Sequence, residues 1–249
     1  MNSITNNVIC MKWGTKFSPE YVNLLAAMVR KNLTVPHRFV CFTENAEGLD
    51  SRIEVRPLPE MNLDARLPER GWRKLTVFQE RLDDLVGQAL FIDLDVLIWD
   101  NLDCFFEMDG AFRIIQDWNL PGKNIGNSSI FRFEIGKYPD ILEYFLEHGD
   151  QVRKEVRNEQ AYLSREMHRK GLLQYWPEGW CISFRKSCMR PFPLGYFLDT
   201  KLPPTGTKAV IFHGNPNPDV AIQGWHSPDF FKAVRPVKWI EETWAKYRE

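Results

Sequence analysis

Residues 89–100, ALFIDLDVLIWD, constrain the fold more than any other stretch of the chain. Ala89 to Ile92 is an unbroken apolar run, the pattern of a strand buried on both faces, as strands are where crossover helices cover a parallel sheet. Asp93 and Asp95 follow at once, and Val96-Leu97-Ile98 restores the apolar character. The preceding segments alternate in type. Asn7 to Trp13 is an apolar run ending at Gly14, and Ser18-Pro19 supplies a helix cap with proline in the first turn. Tyr21, Leu24, Leu25, Met28 and Val29 then repeat at helical spacing. Arg38 to Phe42 and Ile53 to Val55 read as further strands, Pro57 to Gly71 as a loop, and Leu75, Phe78, Leu82 and Leu85 as an amphipathic helix stopping at Gly87. This alternation predicts an α/β fold, a mostly parallel mixed central sheet with helices on both faces.

The second half is less regular. Ala111 to Ile115 and Ser129 to Phe133 predict strands, and Ile141 to Glu147 and Asn158 to Arg169 predict helices. Ala209 to Phe212 is a last apolar strand ending at His213-Gly214, and Trp239 and Trp244 fall on a C-terminal helix. No repeat, linker or composition break divides the chain, so a single domain over residues 1–249 is expected.

Composition narrows the partners. Thirty-two basic residues against 33 acidic ones lack the excess positive charge of a nucleic-acid binder. No apolar run approaches the roughly 18 residues of a membrane-spanning helix, and Met1 to Asn7 lacks the cationic and apolar regions of a signal peptide. Five cysteines, at 10, 41, 104, 181 and 188, show no CxxC pairing and read as reduced thiols of a cytoplasmic protein.

The acidic pair carries the chemistry. On an extended chain, residues i and i+2 face the same side about 7 Å apart. Two carboxylates so placed repel, and burying them beside Phe91, Leu94 and Val96 is costly without a cation. Open α/β sheets bind ligands at the carboxyl ends of their strands, where this pair lies. A hard divalent ion, Mn²⁺ or Mg²⁺, with oxygen ligands and a phosphate partner suits the site. Asp-x-Asp also occurs by chance at strand–turn boundaries; four apolar residues before it and three after favour the functional reading.

Two enzyme classes place Asp-x-Asp after an apolar strand. In dehalogenase-like phosphatases the motif opens the fold and continues with a small pair; here it lies past residue 90 and continues into Val96-Leu97-Ile98. The chain more closely resembles glycosyltransferases of the GT-A fold, especially family 8 and its bacterial relatives. Lys12-Trp13-Gly14 resembles the strand edge that receives the nucleotide base, Arg73-Lys74-Leu75 the head of the preceding helix, and residues 91–98 (FIDLDVLI) the metal-binding strand. Asn127-Ser128-Ser129, Glu159-Gln160-Ala161-Tyr162-Leu163 and Phe212-His213-Gly214 resemble later family segments, in the family's order over residues 8–220.

The resemblance implies one GT-A domain, with the nucleotide in about residues 1–100 and the acceptor in about 101–249. It implies Mn²⁺ or Mg²⁺ on Asp93, Asp95 and His213. Donor contacts would come from Lys12, Trp13, Gly14, Lys74, Leu94, Asn127 and Gly214, and catalytic roles from Gln160, Glu159 and Lys74. The donor would be a nucleoside-diphosphate sugar, UDP foremost, and the acceptor a glycan, a small molecule or a lipid-linked sugar, with retention of configuration. A lone histidine is more often a hydrogen-bonded core residue than a ligand, but His213 ends an apolar strand before Gly-Asn-Pro-Asn-Pro. The family usually continues His-x-x-Gly-x-x-Lys-Pro; here Asn217 stands near the lysine, leaving the metal and Lys12, Lys74 or Lys208 to neutralise a diphosphate. An inverting reaction would need a base, Asp117 or Glu178. Trp176, Trp180 and Trp225 could stack on an acceptor sugar. Arg185, Lys186 and Arg190, among aromatics, read as a solvated face in preference to a site of peripheral docking at the cytoplasmic membrane face, which stays the alternative. The rival readings are a dehalogenase-type phosphatase, a nucleotidyltransferase (though Lys12 to Phe17 holds one glycine rather than a glycine-rich loop) and an inactive nucleotide- or glycan-binding module.

Overall fold

The computed structural model describes residues 6–61 and 71–248. It forms two compact units that alternate along the chain: residues 6–17, 35–93 and 104–176 in the first, and 18–34, 94–103 and 177–248 in the second.

The first unit is built on a seven-stranded sheet. In chain order its strands are β1 (Asn6–Lys12), β2 (His37–Thr43), β3 (Glu54–Pro57) and β4 (Gln88–Ile92), then, after the short β5 (Val96–Ile98) of the second unit, β6 (Phe112–Gln116), β7 (Gly126–Glu134) and β8 (Leu173–Tyr175). Their spatial order is β3-β2-β1-β4-β7-β6-β8. Only β7 runs against its neighbours; every other adjacent pair is parallel. The apolar run 89–92 is thus the middle strand of seven, as its lack of alternation requires.

Side-chain alternation on β7 separates two faces. Phe131 and Phe133 point to one, packing against Phe78 and Phe91 with ring centroids 4.9–6.0 Å apart. This is the main core, closed by a 3₁₀ helix (Trp72–Phe78) and by two α-helices, Pro139–Glu155 and Glu159–Arg169. Arg132 points to the other face, 1% exposed, and donates to the carbonyls of Phe105, Phe106 and Gly110 around the short helix Cys104–Glu107.

The second unit joins β5, β10 (Ala209–Ile211) and β9 (Cys181–Ser183), with β10 in the middle. A hairpin of β11 (Trp225–His226) and β12 (Ala233–Val234) stands apart from them in the sheet order. Helix Pro19–Asn32 packs on β5, and Tyr21 meets Trp244 of the last helix, Lys238–Ala245, edge to face at 5.4 Å.

Three expectations need correction. The helix expected through Leu85 ends at Phe78: Leu82 and Leu85 are buried, but they pair with each other across a tight turn in which Asp83 has φ +53°. Helical spacing of apolar residues was met there by a turn burying the same positions. The extended geometry assumed for Asp93-Leu94-Asp95 also fails, since β4 stops at Ile92 and residues 94–95 form a turn. Trp176 is no sugar platform: it is 5% exposed, donates to the Ile130 carbonyl and packs edge to face on Phe105. Residues 62–70 of the loop expected between Pro57 and Gly71 lie outside the described residues, as do residues 1–5.

Candidate active site

In the first unit the charged groups gather where the chain leaves the middle strand. Asp93 follows β4 directly, its amide still donating to the Ser129 carbonyl of β7 at 2.9 Å. Lys74, on the 3₁₀ helix and 9% exposed, reaches it: Nζ lies 2.7 Å from Asp93 Oδ2, 3.3 Å from Ser128 Oγ and 3.7 Å from Glu159 Oε1. Ser128 in turn donates its hydroxyl to Glu159 Oε1 at 2.7 Å. Glu159 opens its helix, whose preceding residue, Asn158, caps it by accepting from the Ala161 amide. Burial pushes the Glu159 carboxyl above its ordinary range; the Lys74 ammonium and the Ser128 hydroxyl pull it back, and Asp93 pushes it up again. Two carboxylates are held around one ammonium, Lys74 and Glu159 buried and Asp93 with 22% of its side chain exposed.

Gly71 makes this array fit. It turns the chain into the 3₁₀ helix at φ +79°, and a Cβ there would stand 3.0 Å from the Glu159 carboxyl carbon. Next to Glu159, Gln160 is anchored by its amide nitrogen, 3.2 Å from Asp117 Oδ2. Asp117 also accepts from the amides of Asn119 and Leu120, so its carboxylate is engaged on both oxygens. Asn127 is buried, its side-chain oxygen accepting from the Ser129 amide. At the carboxyl end of β1, Lys12 is 8% exposed and has no hydrogen bond or ion pair with a described residue. Trp13 packs against the core, and the Gly14 amide donates to Glu44.

The second unit holds the rest. Asp95 and the buried Leu94 form the turn before β5. His213 lies just beyond β10, with Nε2 2.6 Å from Ser183 Oγ, which also accepts from the Lys186 amide. Arg185 lies in that same turn; its guanidinium would stand 3.2 Å from a Cβ on Gly214, and it has no ion pair with a described residue. Lys208 is taken up by Asp100 at 2.7 Å. Glu178 is exposed. Among the described residues no three His, Cys, Asp or Glu side chains form a ready-made metal cage.

The structure therefore brings together Lys74, Asp93 and Glu159, with Gln160 beside them. Sequence reasoning missed Ser183 altogether, and it named Ser128 and Arg185 without their contacts to Lys74 and Glu159 and to the Gly214 turn. Ser128 stands inside a quoted motif, yet only its contacts show that it bridges Lys74 and Glu159.

A mixed sheet with one reversed strand beside the middle, and polar groups at the carboxyl end of that middle strand, defines a GT-A fold. Among solved structures, the galactosyltransferase LgtC in complex with donor and acceptor sugar analogs is similar, with a TM-score of 0.63 and 16% identity over 98% of this chain and 96% of that one. An active-site Gln-to-Glu mutant of LgtC is similar too, at TM-score 0.60 and 14% identity over 96% and 95% of the two chains. At such identities the likeness establishes the fold. No protein-family model matches the chain, and no curated protein sequence does.

Proposed function

We propose that this chain is a glycosyltransferase moving a sugar from a nucleoside-diphosphate donor, UDP being the expected nucleotide, to a glycan, small or lipid-linked acceptor. The observation that carries this reading is the Asp93–Lys74–Glu159 array, with Lys74 and Glu159 buried, after the middle strand of a GT-A fold. Both similar structures are of an enzyme that transfers galactose, one captured with donor and acceptor analogs. A dehalogenase-type phosphatase is not favoured, because Asp93 follows the fourth strand in chain order, not the first.

The donor atoms suit a hard divalent ion. Asp93 and Asp95 supply carboxylate oxygens, and Ser183 fixes the His213 ring through Nε2, the kind of outer partner that orients a ligating imidazole. Asp93, Asp95 and His213 are the residues that would hold Mn²⁺ or Mg²⁺. Such an ion would supply Lewis-acid neutralisation of the charge on a departing diphosphate. The protein adds fixed charge of its own. Lys12 and Arg185, both without an ion pair among the described residues, are the cations for the phosphates in place of the lysine expected at Asn217. Lys74 holds Asp93 in position and offers ammonium protons to a donor oxygen. Gln160 and Glu159, with Asn127, fix sugar hydroxyls. Asp117 is already engaged by three donors and Glu178 is exposed, so neither is poised as the base of an inverting reaction, and retention is the expected outcome. The buried thiols suit a reducing compartment such as the cytoplasm.

The test is turnover of a panel of UDP-sugars with Mn²⁺, with chelator, and in Asp93→Asn and Gln160→Ala variants, beside a thermal-shift series of UDP, GDP, CDP and ADP. Metal-dependent UDP release lost in Asp93→Asn is expected. Nucleotide-free phosphomonoester hydrolysis would reinstate the phosphatase, UDP binding without turnover would indicate a binding module, and stabilisation by no nucleotide would sink the scheme.

A further inference from the structure

The second unit holds a cleft of about 370 Å³ whose lining includes Asp199, Thr200, Arg235, Lys238, Trp239 and Glu242. None of these is among the residues assigned to the donor or the metal. Its volume falls within the roughly 300–1,000 Å³ of sites that take small ligands.

The walls are fixed in advance. Trp239, near the head of the helix Lys238–Ala245, donates its indole N–H to Thr200 Oγ1 at 2.9 Å. Arg235 Nη1 donates to the Phe197 carbonyl at 3.0 Å, and Arg190 Nε donates to the Asp199 carbonyl at 2.9 Å. Val237, also in the lining, donates its amide to the Ala221 carbonyl at 3.1 Å. The half-buried Trp239 ring is braced by Trp99, edge to face at 5.5 Å, and by Phe184 at 6.1 Å. A cleft held this way needs little ordering when a ligand enters.

The charges in the lining select the ligand. Two carboxylates, Asp199 and Glu242, face the same space as two cations, Arg235 and Lys238, and the sum is zero. A phosphate or carboxylate drawn to the cations would meet the two carboxylates, and a cationic ligand would meet the reverse. The Arg235–Asp199 pair is loose, at 3.4 Å with 51% and 81% of the side chains exposed, so both keep hydrogen-bonding positions open. A hydroxyl can donate to a carboxylate and accept from a guanidinium or an ammonium, so a neutral polyol engages all four groups without meeting a like charge. Trp239, Pro236 and Val237 supply apolar wall for C–H faces. Hydroxyls on one edge and C–H groups on a face are the chemistry of a sugar ring.

We infer that this cleft is a binding subsite for an uncharged saccharide. It requires neither nucleotide nor metal, so it stands apart from the reaction proposed above. The test follows the Trp239 indole N–H resonance in ¹⁵N-labelled full chain, assigned by its loss in Trp239→Phe, with chelator and without nucleotide. Lactose, maltose, cellobiose and sucrose are titrated separately, beside inorganic phosphate. At least one disaccharide should move the Trp239 signal saturably, and phosphate should not. Asp199→Ala/Glu242→Ala, two exposed positions, should weaken the saccharide by about tenfold or more, as when hydrogen bonds to charged groups are lost, with circular dichroism unchanged. The same pair of substitutions leaves two cations and no anion in the lining, a net +2, so phosphate should now move the signal. Asp93→Asn, which disables the donor site proposed above, should leave the saccharide response intact. No response to any disaccharide, a response undiminished in Asp199→Ala/Glu242→Ala, or phosphate binding the unmodified chain more tightly than any disaccharide overturns the assignment. So does loss of the response in Asp93→Asn, which would place the sugar at the donor site.

Discussion

Removing the cation of the buried array is the sharpest probe of the site. In Lys74→Met, the methionine fills most of the space but leaves Glu159, 5% exposed, beside Asp93 without its ammonium. Breaking a buried ion pair by deleting one partner costs about 3–5 kcal/mol if the remaining charge stays. Glu159 has another way out, because burial already favours its neutral form. At pH 7, protonating a carboxyl whose ordinary pKa is 4.5 costs about 3.4 kcal/mol, at 1.36 kcal/mol per pH unit. The two routes agree, and the variant should lose about 3 kcal/mol at pH 7. They part as the pH falls. A folded-state pKa raised above the unfolded one gives stability that is complete below the unfolded pKa and is lost as pH rises through the folded pKa. Once Glu159 binds the proton, the deficit of Lys74→Met should therefore shrink to about 1 kcal/mol or less at pH 5. Urea unfolding at both pH values, in buffer without divalent cations, measures this. Lys74→Met/Glu159→Gln should recover most of the loss at pH 7, since Asp93, with 22% of its side chain exposed, can be served by water. A deficit equal at pH 5 and pH 7 would mean lost packing rather than stranded charge. A double variant no more stable than the single one would refute the reasoning outright.

Three further outcomes follow from the same structure. Gly71→Ala should cost about 2 kcal/mol or more, combining left-handed strain of roughly 1–2 kcal/mol with displacement of Glu159; Gly14→Ala, at φ +59° with open space around it, should show the strain alone, and equal melting shifts would remove Glu159 from the explanation. Tyr21→Phe deletes the 2.5 Å hydroxyl bond to Asp219 and should lower stability by about 1.5 kcal/mol, as for a bond to a charged group; burial and Asp219 both hold the Tyr21 phenol above its ordinary pKa, so its ultraviolet signal should still be protonated when exposed tyrosines titrate. Only Cys104 should react with a thiol reagent in the native state, since Cys10, Cys41, Cys181 and Cys188 are buried and burial pushes the Cys188 thiol up to about 12; rapid labelling of more than one thiol before unfolding would contradict this.

The parts legible from sequence are those where one physical demand dominates. Continuous apolar runs predict β1, β2, β4, β7 and β10, because a strand buried on both faces tolerates little else. Strands of two or three residues, such as β8, β9, β11 and β12, are too short for a period to register, and they form because neighbouring segments supply their partners. Residues 82–85 show the limit of periodicity: helical spacing says which side chains are buried, and both a helix and a tight turn can bury Leu82 and Leu85.

At the site, the gap between sequence and structure is one of pairing. Lys74, Glu159 and Gln160 were identified singly, each with an equally good surface role as a helix-end residue. What separates the two roles is whether a charge is buried and against what. Lys74 lies 19 residues from Asp93 in sequence, and Ser128 lies 31 from Glu159, distances at which no local pattern can announce a contact. The missing lysine at Asn217 has the same lesson in reverse. Read along the chain, it is a deficit of positive charge; read in the fold, Arg185 stands against Gly214, immediately after His213, on a turn fixed by the same serine that orients the histidine. A cation and a metal-ligand candidate set by one hydroxyl is a stronger constraint than a lysine at a conventional spacing. Arg185→Ala should therefore weaken nucleotide binding even though no motif marks it, while Lys208→Ala, whose side chain is committed to Asp100, should not. If a UDP titration followed by thermal shift shows the reverse, the neutralising charge lies elsewhere.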